Sequence, residues 1–265
     1  MPFPTEGFPL AAAISPRVQA IETTDSTNAD LVRHVNDAPD QWPHLSLVLT
    51  NDQRAGRGRL DRSWTAPAGT GLAVSVLVDA SAVPPASRGW IPLIAGAAMT
   101  RAIAAQTQGT GHSARLKWPN DVLMDGGKIC GILAEVVPGH PDSIVVGAGV
   151  NTRMSATDLP VDTASSFLTL GLEADEDRLL ADYLTALDEQ LQALAASGGD
   201  AAASGVLGEI ESLCVTLGQD VVVSLPASEA LAGHAQRIDL DGRLVVVDPL
   251  GVERAVSAGD VEHVR

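Results

Sequence analysis

Apolar and polar residues are spaced along most of the chain in ways that predict both helices and strands. The polar run 25–28 (Asp-Ser-Thr-Asn) comes directly before apolar residues at helical spacing, which is how a capped helix begins. The apolar runs 44–50 and 72–78 are typical of strands. Apolar residues that recur at helical intervals predict helices over 88–108, 173–195 and 201–213.

Short extended segments follow the first long helix, and Gly, Pro, Asn and Asp fill the turns between them. The segments are 114–118, 121–124, 129–137 and 143–150. Strands joined by such turns predict an antiparallel meander. Because helices flank strands that are joined by hairpins, we predict an α+β fold with a mixed, largely antiparallel sheet, and not a doubly wound parallel one.

The pattern changes after Gly218, where only short strands and tight turns remain. Strands are predicted over 221–225, 232–240, 243–247 and 253–256. A stretch of about fifty residues of this kind predicts a small SH3-like β-barrel. At the other end, residues 1–14 contain three prolines and no periodicity, so we expect a flexible lead. The predicted organisation is therefore a flexible lead (1–14), a large domain (15–213) that would carry the catalytic site, and a small C-terminal domain (214–265).

The composition is that of an ordinary globular protein. The chain has 265 residues, of which 45% are hydrophobic and 19% are charged, which excludes a disordered or fibrous protein. No apolar run approaches the ~18 residues of a membrane span, and residues 1–15 lack the basic residues of a signal peptide. Cys130 and Cys214 are too few for a disulfide framework and are expected to be free thiols. These features predict a cytoplasmic protein.

The net charge of −16 makes nucleic-acid binding improbable, because a phosphate backbone would repel the chain. The few cations are concentrated in two places. Arginines cluster in the stretch 51–70, a long Gly- and Arg-rich segment without a regular period, and loops of that length are usually functional. The chain has just two lysines, Lys117 and Lys128. Either a compact ammonium is needed at these two positions, or both lysines are surface residues without a specific role.

Two runs carry residues that are suited to chemistry. In 56–59 (Gly-Arg-Gly-Arg), the glycines let a ligand approach the backbone and the guanidiniums suit phosphate or carboxylate oxygens, although solvated turns have the same composition. In 117–121 (Lys-Trp-Pro-Asn-Asp), a cation and a carboxylate flank a rigid turn. A hairpin that turns at 125–127 would bring Lys128 close to Asp121. P-loop and Rossmann glycine patterns are absent, so a nucleotide would bind without them.

Taken in order, these runs resemble the motifs of biotin protein ligases. The resemblance rests on the runs 25–28, Gln53 with 56–59 and Trp64, 117–121, 128–133 (Lys-Ile-Cys-Gly-Ile-Leu) and 147–151 (Gly-Ala-Gly-Val-Asn). Residues 256–261 resemble the end of the small barrel domain of that family. The chain departs from the family pattern at Leu60-Asp61, where the family more often has a basic or polar residue followed by Gly. Because few residues precede Ser26, we expect the short type that lacks an N-terminal DNA-binding domain.

The resemblance implies a class II synthetase-like catalytic domain that joins biotin to ATP and then passes the biotinyl group to a carrier lysine. Lys128 would bridge the biotin carboxylate and the α-phosphate, and Arg57 and Arg59 would close over the adenylate. Asp121 would orient or deprotonate the acceptor lysine. The implied biotin pocket and the rest of the implied site comprise Ser26, Thr27, Asn28, Gln53, Gly56, Gly58, Trp64, Lys117, Asn120, Gly131, Gly149 and Asn151, the last at the adenine end. Mg²⁺ would neutralise the polyphosphate, through ligands that the sequence does not identify.

The implied partner is a biotin carboxyl carrier protein or domain of a biotin-dependent carboxylase. Neither DNA nor a membrane is expected as a partner, and a monomer or weak homodimer is expected. Two alternatives stay open: a lipoate or octanoate ligase or transferase of the same general fold, and a non-catalytic biotin-sensing regulator. The runs 56–59 and 117–121 favour the biotin ligase over the first, and the net charge of −16 disfavours the second.

Overall fold

A seven-stranded sheet forms the centre of the larger part of the molecule. The structure, a computed structural model, describes residues 3, 7–59, 62–224, 230–257 and 259–264. The α-helices in these ranges are α1 (Pro9–Ala12), α2 (Thr27–Asp37), α3 (Ile91–Gln106), α4 (Glu176–Ala196) and α5 (Val206–Leu213). The strands are β1 (Val18–Ala20), β2 (Leu47–Thr50), β3 (Gly56–Arg57), β4 (Ser63–Trp64), β5 (Leu72–Asp79), β6 (Ala114–Lys117), β7 (Asp121–Met124), β8 (Gly127–Val137), β9 (His140–Val150), β10 (Asp220–Ser224), β11 (Leu231–Ile238), β12 (Leu244–Val247), β13 (Glu253–Val256) and β14 (Asp260–His263). Short 3₁₀ turns occupy Pro39–Gln41, Pro85–Trp90 and Leu168–Leu170.

The strands of the central sheet lie in the order β1-β2-β5-β9-β8-β7-β6. β1 and β2 are parallel, and the other neighbouring pairs are antiparallel. The predicted mixed, largely antiparallel sheet and the meander from β6 to β9 are both confirmed. β1 was not predicted, because a strand of three residues is too short to show a period of two.

The two faces of this sheet are covered unequally. Helices α3 and α4 pack together and lie over one face, where they enclose the main hydrophobic core. The shorter helix α2 covers part of the opposite face, where Leu31 and Val35 pack with Leu77 and Val145. The face next to the first turn of α2 is therefore left open above β8 and β9. Among the described helices, none combines the length and the apolar character needed to cross a membrane.

The C-terminal residues form a second, five-stranded antiparallel sheet in the order β13-β12-β11-β10-β14. This confirms the predicted small β unit, while its SH3-like closure stays a prediction. β14 was not predicted, because its sequence (Asp-Val-Glu-His) has no apolar run. Leu225 and the turn predicted at 226–228 lie outside the described residues.

The segment predicted to be a flexible lead contains a helix. The backbone N–H groups of Leu10 and Ala11 in α1 each donate to the carboxylate of Asp177 on α4, at 2.9 Å. Phe8 and Ala11 are buried against the main core. This part of the lead is thus held by capping contacts to a distant helix, which local periodicity does not reveal. The domain boundaries at residues 14 and 213 stay predictions.

Trp118 joins the meander to the C-terminal sheet. Its indole Nε1–H donates to the carbonyl of Gly242 at 3.1 Å, and its backbone N–H donates to Thr216 Oγ1 at 3.1 Å. Trp90 makes a parallel contact from the start of α3, where its Nε1–H donates to the Leu240 carbonyl at 3.0 Å. Because Trp118 is only 2% exposed, its ring packs in the junction as well as bonding across it.

We expect Trp118→Phe to lower the free energy of unfolding by about 2 kcal/mol, because it leaves the buried Gly242 carbonyl without its donor. Thermal or urea denaturation would measure the loss. Trp42→Phe is the control, since Trp42 is also buried but makes ring contacts, stacked on His34 and with the Arg17 guanidinium 3.9 Å from its ring centroid, and no indole hydrogen bond to any described residue. Equal losses in the two variants would show that the hydrogen bond contributes nothing beyond ring volume.

Candidate active site

A cavity of about 130 Å³ opens where α2 begins, between the uncovered part of β8 and β9 and the Arg-rich segment that follows β2. It is the place to which the structure brings most of the predicted site residues. Those that line it are Ser26, Thr27, Asn28, Gln53, Arg57, Gly58, Arg59, Trp64, Asn120, Asp121, Lys128, Gly131 and Gly149. Residues scattered over more than a hundred positions of sequence therefore meet at one site.

Glycines form the floor of the cavity. In the β8–β9 ladder, Gly131 lies opposite Gly149 and Leu133 lies opposite Gly147. A Cβ atom on Gly149 would lie 2.6 Å from the Trp64 indole, and one on Gly147 would collide with the Asn28 amide. Successive pairs on one face of a sheet are about 7 Å apart, so the two pairs of the floor are separated by one such step. The absence of side chains at these positions is what makes room for a ligand.

A hydrogen-bond network lies above the Gly147 step. The backbone N–H and the hydroxyl of Thr27 donate to Gln53 Oε1 at 2.8 and 3.1 Å. Ser75 Oγ lies 2.5 Å from Asn28 Oδ1, to which it donates, and 2.7 Å from Thr27 Oγ1. Ser26 caps α2 by accepting from the Ala29 N–H, which places Thr27 and Asn28 at the first turn. This end of the cavity presents neutral donors and acceptors held in fixed directions.

A charged cluster lies at the Gly131 step. Lys128 Nζ and Asp121 Oδ1 form an ion pair at 2.6 Å, which confirms the prediction that the β7–β8 hairpin brings the two residues together. The pairing register shifts by one residue between Val122 and Leu123, and the ammonium lies over Gly131. The backbone of Lys128 is held in addition by bonds to Thr163 and Ser165. The Lys128 ammonium is thus held through contacts of both its side chain and its main chain.

Arg59 approaches the same cluster from the Arg-rich segment. Its Nη1–H donates to Asn120 Oδ1 at 3.0 Å, and Asn120 in turn donates from Nδ2 to the Ile132 carbonyl at 2.6 Å. Burial lowers the pKa of the Arg59 guanidinium, and the nearby charge of Asp121 opposes that shift. The segment itself is pinned by the small β3–β4 hairpin, in which Gly56 pairs with Trp64. Leu60 and Asp61, the departure from the family pattern, lie outside the described residues.

Three predicted residues do not line the cavity. Gly56 lies beneath Gln53 and the Trp64 carbonyl, where a side chain would not fit. Lys117 lies opposite Asp121 in the β6–β7 ladder and is half-buried, and this burial lowers the pKa of its ammonium. Asn151 is buried, and its Nδ2 donates to the Ser165 carbonyl at 2.9 Å. Each of the three adjoins residues of the cavity without lining it, and a direct role for each in binding stays a prediction.

The chain also matches known proteins along this part of the sequence. Residues 20–151 match the model of the biotin/lipoate A/B protein ligase family. The biotin–[acetyl-CoA-carboxylase] ligase of Mycobacterium tuberculosis is 35% identical over 250 residues, which cover 94% of this chain and 90% of that protein. The chain belongs to the biotin/lipoate A/B protein ligase family.

Two further comparisons describe how this family member relates to others. The bifunctional ligase/repressor BirA of Escherichia coli is 29% identical over 180 residues, which cover 66% of this chain and 53% of that protein. The solved structure of a biotin protein ligase from Aquifex aeolicus in complex with biotin and ATP matches with a TM-score of 0.74 at 23% identity, covering 94% of this chain and 99% of that one. The predicted ligase-like fold is confirmed by this similarity.

Several residues of this family member line the cavity without having been predicted: Arg62, Ser63, Ala73, Val74, Ile132, Leu133, Gly147, Ala148 and Asp260. Gly147 lies in a run already singled out, so the spacing of Gly147 and Gly149 was an available signal. Asp260 comes from the C-terminal sheet and pairs with Arg62, and no local pattern connects residues so far apart. Residues such as Ala148 form part of the cavity wall, but their small apolar side chains give no sign in the sequence of a role in binding.

Apart from Asp121 and Asp260, the described lining of the cavity contains no side chain of the metal-ligating types His, Cys, Asp and Glu. In the part of the chain that the structure describes, no three His, Cys, Asp or Glu side chains are placed to hold a metal ion. Cys130 is buried under the cavity floor, and burial raises the pKa of its thiol to about 12. It therefore packs as a small apolar side chain, as predicted.

We expect Gly149→Ala to displace Trp64, because the new methyl group would overlap the indole that covers the floor. Trp42, Trp90 and Trp118 are buried and Trp64 is not, so acrylamide quenching of tryptophan fluorescence should increase in the variant. Gly208→Ala on α5 is the control, since a Cβ there meets open space. Unchanged quenching in folded Gly149→Ala would contradict the contact.

Proposed function

We propose that this protein is an ATP-dependent biotin protein ligase, which forms biotinyl-5′-AMP from biotin and ATP and transfers the biotinyl group to a lysine of a carrier domain. The observation that carries the proposal is the layout of the cavity. A neutral hydrogen-bond network lies one ladder step, about 7 Å, from a cluster of cations, with a floor of glycines between them. That layout suits a ligand with a polar neutral head, an apolar stem and an anionic tail.

Biotin has this distribution of groups. Its ureido ring both donates and accepts hydrogen bonds, which suits the Thr27, Asn28 and Gln53 end. Its ring sulfur and valeryl chain suit the slot between the glycine floor and Trp64, and its carboxylate would reach Lys128. Lipoate lacks a polar head, so it would leave the buried network without partners. Such unpaired buried groups strongly disfavour a ligand, which is why we favour biotin.

The first chemical step brings the biotin carboxylate against the α-phosphate of ATP, and these two anions repel each other. The Lys128 ammonium would lie between them, a role supported by its location at the charged end of the cavity. Arg57 and Arg59 enter from the segment above and would close over the phosphate. Closure also excludes water from the mixed anhydride, which water would otherwise hydrolyse.

The second step needs a neutral amine, because a protonated lysine has no lone pair to attack the adenylate. Asp121 lies at the cavity and is 2.6 Å from Lys128. When Lys128 turns to the phosphate, the Asp121 carboxylate loses its partner and becomes free to orient the incoming lysine and accept its proton. The amine nitrogen then attacks the acyl carbon and forms an amide bond, and AMP leaves with the electron pair of the broken acyl–phosphate bond.

Mg²⁺ enters this scheme as part of the MgATP substrate and supplies positive charge to the phosphates. Such an ion keeps phosphate and water oxygens as most of its ligands. Asp121 and Asp260 are the carboxylate residues in the described lining of the cavity, and their oxygens suit a hard cation. Neither residue is assigned as a ligand by the sequence.

The partner follows from the relatives. The Mycobacterium tuberculosis protein is named for acetyl-CoA carboxylase, and by that similarity we propose the biotin carboxyl carrier domain of a carboxylase as the acceptor. We propose that the protein acts in the cytoplasm, where Cys130 and Cys214 stay reduced, as a monomer or weak homodimer.

The test of this function is transfer of labelled biotin to a purified biotin carboxyl carrier domain. Transfer should require ATP and Mg²⁺ and should be unaffected by an excess of lipoate. Strong competition by lipoate, or lipoyl transfer to a lipoyl domain, would assign the protein to the other branch of the family.

In the same assay, we expect Lys128→Ala to slow pyrophosphate release at least a hundredfold, because losing one such electrostatic group raises the barrier by about 3–4 kcal/mol. Lys128→Arg should restore little, since a planar fork does not occupy the place of a compact ammonium. Arg178→Ala removes an exposed cation on α4 and should have no effect. Near-normal pyrophosphate release by folded Lys128→Ala would remove Lys128 from the reaction.

We expect Arg59→Gly to raise the dissociation rate of biotinyl-adenylate by a larger factor than it lowers the rate of its synthesis. Lys128 still neutralises charge in the first step, whereas the Arg-rich segment 51–70 loses a contact to the intermediate. Losing a charge-assisted contact to phosphate weakens retention by about 1.5–3 kcal/mol, mainly as faster dissociation. Free biotinyl-adenylate acylates amines, so the variant should biotinylate lysines of a bystander protein. Self-labelling should stay low, because the chain has only Lys117 and Lys128. Strict selectivity for the carrier at an undiminished rate would contradict the closing role.

A further inference from the structure

Glu135 connects the floor of the cavity to the segment above it, although it does not line the cavity itself. A single oxygen of its carboxylate, Oε2, accepts from Asn28 Nδ2 at 2.7 Å and from Arg57 Nη2 at 3.0 Å. Glu135 lies on β8 one step beyond the Leu133–Gly147 pair, and its side chain is 27% exposed. One carboxylate therefore touches both the neutral end of the cavity and an arginine of the closing segment.

The contact to Asn28 determines which way its amide points. Asn28 Nδ2 faces two groups that only accept, the Glu135 carboxylate and the Leu133 carbonyl. Its Oδ1 is then directed to Ser75, which donates to it. Without the carboxylate, only the longer 3.4 Å contact to the Leu133 carbonyl would hold Nδ2 on this side, and the oxygen and nitrogen ends of the amide have nearly the same shape. The accepting oxygen of Glu135 thus helps to set the pattern of donors and acceptors at the neutral end.

The contact to Arg57 ties the same carboxylate to the Arg-rich segment. Arg57 lies in β3 and its side chain is 52% exposed, so this ion pair holds a surface strand down onto the sheet. The Glu135 carboxylate therefore connects a ligand that contacts Asn28 with the Arg-rich segment 51–70, called here the closing segment, which it holds through Arg57. An interaction that stabilises the contact of Glu135 with Asn28 or with Arg57 restrains its carboxylate and thereby favours the other contact.

The geometry points to Glu135 as a positioning residue that couples occupancy of the biotin pocket to docking of Arg57 and the closing segment. The inference deepens the proposed function and rests on it. Glu135 touches no reacting atom and acts through Asn28 on one side and Arg57 on the other. Its effect therefore belongs to biotin affinity and to closure, and not to the stability of the fold.

A double-mutant cycle on biotin affinity tests this coupling. Calorimetry would give the Kd for biotin of the unsubstituted protein, Glu135→Gln, Arg57→Gln and the double variant. Because the pair is partly exposed, each single change should raise Kd by about fivefold. The double variant should also show about a fivefold increase, because the second change removes a contact already lost. A twenty-five-fold increase in the double variant, or no increase in either single variant, would overturn the coupling.

Glu135→Ala separates the two contacts. Gln at this position still offers Asn28 an oxygen, whereas Ala offers none, so the Kd of Glu135→Ala should exceed that of Glu135→Gln by a further factor of about ten. Equal Kd values for the two variants would overturn the claim that Glu135 directs the Asn28 amide. Tryptic cleavage after the arginines of the segment should be slowed by biotin in the unsubstituted protein and much less in Glu135→Gln.

Glu253→Gln is the matched control, since Glu253 pairs with Arg237 at 2.7 Å on the C-terminal sheet. It removes the same charge from the same kind of pair and should leave both Kd and cleavage unchanged. Melting temperatures of all the variants should agree within the range of this control, and a large drop confined to the Glu135 variants would reassign the residue to the fold. An unsubstituted protein that binds no biotin would overturn the proposed function itself, whereas normal binding with additive variants overturns this inference alone.

Discussion

The open glycine floor between β8 and β9 is the constraint on which the rest of the site depends. One face of the sheet is filled by α3 and α4, and α2 covers part of the other, so a ligand finds room only where side chains are missing. Trp64 lies against Gly149, and the Asn28 amide lies against Gly147. Both are so close to the backbone that a methyl group on either glycine would overlap them. The same glycines therefore make the cavity and let its walls approach the backbone. A sheet with alternating side chains on this face would have no site.

Charge is organised around that opening. The chain is strongly acidic, yet cations converge on the cavity from the hairpin of β7 and β8 and from the segment after β2. Each of several cations is already paired with a carboxylate from a different element: Lys128 with Asp121, Arg57 with Glu135, and Arg62 with Asp260. Internal carboxylates keep these cations positioned, and an incoming phosphate or carboxylate can exchange with them. The cost of gathering like charges is reduced before the substrate arrives.

The C-terminal sheet contributes to the site through the junction. Trp118 directly follows β6 inside the run 117–121, and its indole donates a hydrogen bond to Gly242 of the small unit. The residues that follow it, Asn120 and Asp121, are those that face the cavity. Asp260 of the same small unit reaches the Arg-rich segment. One short run therefore serves as both a structural joint and a part of the site, which explains why its aromatic residue belongs to the core while its polar residues do not.

Much of this could be derived from the order of residues. Periodicity located the main helices and strands, and the tight turn after β7 was enough to place Lys128 beside Asp121, because a hairpin has few possible registers. The motif runs likewise pointed to the biotin ligase family and to most of the residues that line the cavity.

The sequence by itself determined the main helices and strands, the local hairpin pair and the residue types that a carboxylate and a phosphate require. Only the tertiary structure decided that Ser75 and Glu135 join the network, that Asp260 reaches the site, and that Asn151 and Lys117 adjoin the cavity without lining it. It also decided that α1 is held by Asp177. The physical reason is that periodicity and turn chemistry act between near neighbours. These contacts join residues that only the packing of separate elements brings within hydrogen-bond distance.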